Sequence, residues 1–214
     1  KPGWLYQMAR SKAYLFKGVE IRWQCASNFL DSDSRTLEQE KFHFPNGLLD
    51  FLDASLDNRE IITQAAFYGE ADMSDNMGRV EFAVHWPADG EGFVHSYCNT
   101  IPTPSGGTHE NGLRNALARG LRSYGEMVDN KKAANISAED VVGGAAILLS
   151  VFLKEPQFQG QTKEKLANQE ATRLVDAAVR DHFDHWLASD PAAAQALLEH
   201  VIARAEERQR RRAD

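Results

Sequence analysis

Residues 145–153, AAILLSVFL, form an unbroken apolar run that stops at a polar loop, Pro156-Gln157-Phe158-Gln159-Gly160-Gln161-Thr162-Lys163-Glu164-Lys165-Leu166. A run of that length reads as a strand buried on both faces, so a sheet must be part of the architecture. From Leu166 onward the apolar residues recur at helical spacing, and the spacing predicts a helix over about 163–187 with Val175, Val179, Phe183, Trp186 and Leu187 on its core stripe. Gln161, Thr162 and Lys163 then sit at a strand-to-helix junction, where unpaired N–H groups and the helix dipole favour an anion. An amide and an ammonium there suit a phosphate. The other reading is a capped helix start, with Thr162 as N-cap and Lys163 solvated, and spacing alone leaves both open.

The first half of the chain reads mostly as strands. Residues 18–25 alternate faces, as do residues 80–86 with Val80, Phe82, Val84 and Trp86 on one side. The Asp-Gly step inside residues 87–92 predicts a hairpin to a strand over 93–99, and hence an antiparallel meander. A short helix over 47–56 and an extended stretch near 61–67 complete this half, with polar, loop-like segments at 31–38 and 72–78.

The second half turns helical. Over 109–128, Leu113, Ala116, Leu117, Leu121, Tyr124 and Val128 share one arc, while Arg114, Arg119 and Arg122 lie on the other side as a row of guanidinium groups free of the core. Ser137-Ala138-Glu139-Asp140 reads as a capping box opening a short helix before the buried strand. Asp190-Pro191 marks an N-cap and restart, followed by a last helix over 192–212 whose stripe is Ala194, Leu197, Leu198, Val201, Ile202 and Ala205.

A chain of 214 residues can bury about 70% of its unfolded surface in one core without staples. The formal net charge of −7 argues against nucleic acid only on average. Arg204, Arg208, Arg210, Arg211 and Arg212 crowd the C-terminus, and screening confines each patch to ~8–10 Å. Those arginines suit a helix C-terminus as well as DNA. Cys25 and Cys98 lack a C-x-x-C partner and read as buried thiols in a reducing cytosol. No run approaches the ~18 apolar residues of a membrane span, and the start carries no signal-peptide pattern. His182 and His185 sit three apart without a third ligand, so no metal is assigned. His109 reads as a structural hydrogen-bonder at a helix start.

Several motifs together carry a family resemblance. Gln161-Thr162-Lys163 with Glu164-Lys165-Leu166 resembles the QTK loop of type IIA DNA topoisomerase B subunits. Ser105-Gly106-Gly107-Thr108-His109-Glu110-Asn111-Gly112-Leu113-Arg114 is similar to their GGTH-xx-G-[FL]-R signature. Asn99-Thr100-Ile101-Pro102-Thr103, Ser137-Ala138-Glu139-Asp140 and Leu149-Ser150-Val151 follow in family order, so the resemblance covers nearly the whole chain. Residues 8–16 and 136–140 look closer to topoisomerase IV B than to gyrase B.

The resemblance implies one part of such a subunit, the transducer. Its fold would be α+β of the ribosomal protein S5 domain 2-like kind, a mixed or antiparallel sheet with helices packed on one face and a long C-terminal helix. Residues 1–17 would be a linker helix from an ATP-binding domain, 18–188 the transducer, and 189–214 a helix leading toward a DNA-cleavage (Toprim) domain. The family's magnesium-binding Glu/Asn helix, Gly-rich lid and acidic cleavage-site set are not in these residues. Together with a start at Lys1, this suggests an excised piece with no ATPase activity alone.

On the same resemblance Lys163 is the catalytic cation and Gln161 its companion, both on the γ-phosphate of ATP. Arg114 fills the motif arginine lining the duplex cavity, joined by Arg119 and Arg122 as DNA ligands. Mg²⁺ belongs to the full enzyme, with no metal expected on these residues. Partners would be duplex DNA, a topoisomerase A subunit and a second B subunit, in a bacterial cytoplasm near the nucleoid and away from membranes. Other readings are a transducer of gyrase B, of mismatch-repair MutL or of the large heat-shock chaperone sharing the ATP fold, or a free-standing S5-like nucleic-acid-binding module.

Overall fold

The computed structural model describes residues 1–32 and 35–214. They divide into two compact units, Lys1–Asp57 and Asn58–Asp214. The boundary between the units falls at 57/58, whereas the family resemblance implies limits at 17/18 and 188/189. It falls there because the first strands pack with the first helix and the last helix packs into the second unit.

In the first unit, α1 (Pro2–Leu15) opens with proline in its first turn, where a missing N–H costs nothing. β1 (Glu20–Gln24) pairs antiparallel with β2 (Gln39–His43), Ile21 opposite Phe42, and α2 (Leu48–Leu56) follows. The small core is aromatic: Tyr6 meets Trp23 and Phe42 edge-on at 5.4 and 5.1 Å, and Tyr14 stacks on Phe44 at 3.6 Å and on Phe51 at 4.5 Å. These rings select the buried face of α1, which leaves Leu5 and Met8 on its exposed side. Within the polar stretch 31–38, residues 33 and 34 lie outside the described residues.

In the second unit the elements run β3 (Phe67–Asp72), β4 (Gly78–His85), β5 (Phe93–Cys98), β6 (Ile101–Pro102), α3 (Thr108–Met127), α4 (Ala138–Val142), β7 (Ala146–Leu153), α5 (Gln169–Ser189) and α6 (Pro191–Ala213). The sheet order is β3-β4-β7-β5-β6, with β7 antiparallel to β4 and parallel to β5. The sheet is therefore mixed. The hairpin expected between β4 and β5 does not form, since β7 lies between them. Its apolar residues fill both faces, and the central position is where both are covered. The Asp89-Gly90 step marks only a loop, with Gly90 at φ +79°.

Val80, Phe82 and Val84 of β4 face the same side as their partners Val151, Leu149 and Ile147 of β7. They share one core with Leu113, Leu117 and Leu121 of α3, Val175, Val179 and Phe183 of α5, and Leu197, Leu198 and Val201 of α6. The opposite face, with Ala83, Ala146, Leu148 and Ser150, is buried as well. Trp86 satisfies its indole N–H on the Val141 carbonyl at 2.9 Å. Helices α3 and α5 approach closely because a Cβ at Gly112 would lie 2.5 Å from the Thr172 carbonyl, and one at Gly120 2.6 Å from the Phe183 ring.

Two caps form as the sequence implies. Ser137 Oγ accepts from Asp140 N while Asp140 Oδ2 accepts from Ser137 N, and Asp190 Oδ1 accepts from Ala193 N. The α6 stripe is buried from Ala194 to Ala205. Val128, expected on the α3 core face, lies past the helix end and is exposed. Cys98 is buried and its thiol is pushed up to about 11 by burial, whereas Cys25 is only half-buried. Among the described residues, no helix is long and apolar enough to cross a membrane.

Candidate functional site

The loop after β7 differs from the junction that spacing suggests. Helix α5 begins at Gln169, six residues after Lys163, so Gln161 and Lys163 are not part of its first turn. Thr162 is not its N-cap. The chain instead folds back on itself: Gln159 N donates to Lys165 O and Ala167 N to Gln157 O, both at 2.8 Å, with Phe158 bridged antiparallel to Leu166. Leu166, which spacing places at the head of a helical stripe, is the buried anchor of this hairpin-like stem. Two left-handed residues turn the tip, Gly160 at φ +79° and Lys163 at φ +57°.

Gln161, Thr162 and Lys163 are all exposed at the tip. Eight non-glycine residues adopt positive φ among the described residues, and six are Asn or Asp, which tolerate it. Lys163 belongs to the other two. Holding lysine there costs about 1 kcal/mol and points to a local constraint worth explaining by function.

Asn168, which no sequence motif singles out, closes the base of the loop. Its Oδ1 accepts from Gln157 N at 2.7 Å, and its Nδ2 donates to Glu155 O and to Glu170 Oε1, both at 3.1 Å. The one signal for it in the chain is an asparagine, a residue suited to an N-cap, just ahead of the apolar-periodic stretch that starts at Ala171.

The loop's returning stem lies on the turn before α3. Gly107 forms a parallel bridge with Leu166, and Ser105 N donates to Glu164 O at 3.0 Å. His109, fully buried, brings Nε2 within 2.9 Å of Thr103 Oγ1, and Thr103 Oγ1 lies 2.7 Å from Ser96 Oγ on β5. Burial pushes the imidazole down to about 4, so it is neutral and serves as a hydrogen-bonder rather than a base. Burial pushes the Glu110 carboxyl up, against the opposing pull of Arg114 and a hydrogen bond from Ser96.

The three arginines of α3 do not form one free row. Arg114 faces Glu139 at 3.4 Å and lines a cavity of about 460 Å³ with Gly106, Gly107, Glu110 and Lys165. Arg119 and Arg122 line a different cavity of about 780 Å³ with Ser123, Glu126, Lys131 and Arg180. Arg119 pairs with Asp176 at 3.5 Å and stays 62% exposed, whereas Arg122 donates to the Ile136 carbonyl at 2.9 Å. The fold thus places Arg114 beside the loop stem and separates it from the other two.

The C-terminal arginines divide as well. Arg208 grips Asp140 with Nε on Oδ1 and Nη2 on Oδ2, both at 2.9 Å, and Arg204 Nε donates to the Asp140 carbonyl. Burial would raise the Asp140 carboxyl, but the bonds from Arg208 and Ser137 outweigh it and hold the group below its usual range. Arg208 is thus a strut between α4 and α6. His182 packs edge-on against Phe82 while His185 Nδ1 lies 2.8 Å from the Asp181 carbonyl, so the pair does not converge. Among the described residues, no group of three His, Cys, Asp or Glu side chains is placed to hold a metal ion.

A family model described as DNA gyrase B matches residues 47–214. The chain is 53% identical to the B subunit of DNA topoisomerase 4 from Caulobacter vibrioides over 218 residues and 50% identical to that from Bartonella bacilliformis over 213. Each match covers 100% of this chain and 31% of the relative, so the chain spans about a third of the curated relatives' length. Among solved structures, the 43K ATPase domain of Thermus thermophilus gyrase B in complex with an aminocoumarin superposes with a TM-score of 0.82 at 25% identity, covering 100% of this chain and 55% of that one. The topoisomerase IV ATP-binding domain of Francisella tularensis with a small-molecule inhibitor gives 0.75 at 29%, covering 95% and 53%.

Proposed function

The chain belongs to the DNA gyrase B family, and on that premise we propose that it is the transducer segment of a type II topoisomerase of the topoisomerase IV kind, carried on the B subunit. In this reading its core has the S5 domain 2-like fold, within the limits 18–188 that the resemblance implies, with the preceding helix and α6 as its connections. Its task is to couple ATP binding and hydrolysis to gate closure and duplex passage, with a second B subunit and an A subunit as partners, in the bacterial cytoplasm.

The observation that carries this reading is Lys163 held left-handed and exposed at the tip of an anchored loop. Its ammonium and the Gln161 amide are donors without a required place in the core, a donor set suited to phosphate oxygens. Lys163 would stabilise charge developing on the γ-phosphate, and Gln161 would orient it. When the phosphate leaves, the loop loses its partner, and a domain rotation biased by that contact relaxes. Magnesium, which the family resemblance implies for the whole enzyme, is assigned no ligand on this chain. The relatives of 44–53% identity, all named as the B subunit of topoisomerase 4, favour topoisomerase IV over gyrase.

In the complete subunit, Lys163→Ala is expected to lower ATP hydrolysis about a hundred- to a thousandfold, the usual cost of losing a transition-state donor. The melting temperature should stay within the small range of an exposed substitution. Hydrolysis at the parent rate would sink the reading.

A further inference from the structure

The turn before α3 and the loop after β7 are built as one piece. Ser105 N donates to Glu164 O at 3.0 Å, Leu166 N to Gly106 O at 3.0 Å, and Thr108 N to Leu166 O at 3.2 Å. The acceptor Glu164 directly follows Lys163. Gly107, at φ +137°, sits so close to the loop that a Cβ would lie 2.3 Å from the Leu166 oxygen and 2.6 Å from its nitrogen. Only glycine admits this approach.

The turn is in turn fixed from behind. Thr108 O accepts from Thr172 Oγ1 of α5 at 3.1 Å, and His109, Thr103 and Ser96 form a buried chain of contacts to β5. Each of these three side chains is shielded from solvent, where hydrogen bonds are not exchanged with water. The loop stem is therefore tied through the turn to the sheet, in addition to its ties to the start of the helix that follows it.

We propose that the Gly106-Gly107-Thr108 turn is the positioning element of the phosphate-contacting loop, with Gly107 acting through Leu166 and Glu164 on Lys163, and Thr103 holding the turn to the sheet through His109 and Ser96. The proposal rests on the reading of Lys163 as a phosphate ligand. A displacement of about 1 Å at a reacting group can cost about a hundredfold in rate, so a turn that touches no substrate can govern turnover. The same turn starts the helix that carries Arg114, so loop and helix would move together.

The test is a double-mutant cycle on ATP hydrolysis by the complete B subunit with its A partner. Gly107→Ala is expected to lower kcat tenfold or more (roughly the cost of a sub-ångström displacement) with KM for ATP changed less than about threefold. If Gly107 acts only through Lys163, the double variant should be no slower than Lys163→Ala alone, so that Lys163→Ala costs about a hundredfold in the parent but only about tenfold on top of a tenfold-impaired Gly107→Ala. Thr103→Val should repeat the Gly107→Ala pattern, and Thr103→Ser, which keeps the hydroxyl, should restore kcat.

If Gly107→Ala does not fold, the Thr103 pair crossed with Lys163→Ala gives the same decision. Multiplicative losses in the double variants, or unchanged kcat in both Gly107→Ala and Thr103→Val, overturn the positioning role while leaving Lys163 a ligand. A parent rate in Lys163→Ala alone overturns the ligand reading and the positioning role with it.

Discussion

His109 is where a single side chain reports most directly on the fold. Its folded value of about 4 lies below the ordinary histidine value near 6.5, so the unfolded chain binds the extra proton first as pH falls. Above about pH 6.5 the imidazole is neutral in both states and leaves stability untouched; below it stability is lost progressively toward pH 4, by a total on the order of 3 kcal/mol. His109→Gln keeps a neutral hydrogen-bonder there. It should flatten the slope of unfolding free energy between pH 4 and 6.5, measured by denaturant titration at each pH; an unchanged slope would mean the imidazole does not set it. The hydrogen-bonding role was legible in the sequence from a histidine at a helix start, but its partners were not, since Thr103 and Ser96 lie six and thirteen residues upstream. The left-handed backbone of Lys163 was not, since nothing in a Gln-Thr-Lys string signals positive φ.

At the scale of elements, the Arg208–Asp140 strut fixes α6 to α4. Asp140 is only 3% exposed, so Arg208→Ala leaves a buried carboxylate with just its Ser137 cap. Removing the arginine leaves the carboxylate short of donors in a desolvated place, and thermal melts should show a clear loss of stability. The folded Asp140 is held below its usual value, so its stabilisation is present above about pH 4 and fades as pH falls through the folded value. Arg208→Ala should therefore lose most of its penalty in acid; a penalty independent of pH would make the contact mere packing.

Helices α3, α4 and α6, strand β7 and both caps could be read from the chain because periodicity and capping chemistry are local. Sheet order could not: an Asp-Gly turn reads as a hairpin, and only the two-faced burial of β7 decides that it separates β4 from β5. The start of α5 is misplaced by spacing for a related reason. Leu166 continues the helical stripe in one dimension but spends its side chain anchoring a loop in three.

For the molecule as a whole, a net charge of −7 leaves DNA contact to local patches, and the fold ranks the three α3 arginines that spacing groups together. Arg119 holds Asp176 at 3.5 Å from a 62% exposed position, a pair worth ~0–1 kcal/mol that a phosphate can displace. Arg122 is committed to a backbone carbonyl whose loss would leave an acceptor unpaired. Arg114, facing the exposed Glu139, lies between these cases. Binding of short duplex should be weak, sequence-independent and salt-dependent, with the slope of log affinity against log salt falling by about 0.9 for each phosphate contact removed. Arg119→Ala should take about that much from the slope without lowering the melting temperature, whereas Arg122→Ala should lower the melting temperature and leave the slope nearly intact. Filter binding across a salt series, with melts on the same samples, separates the two. Equal slopes for the parent and Arg119→Ala would remove α3 beyond Arg114 from the DNA-facing surface and leave its outer arginines as struts of the fold.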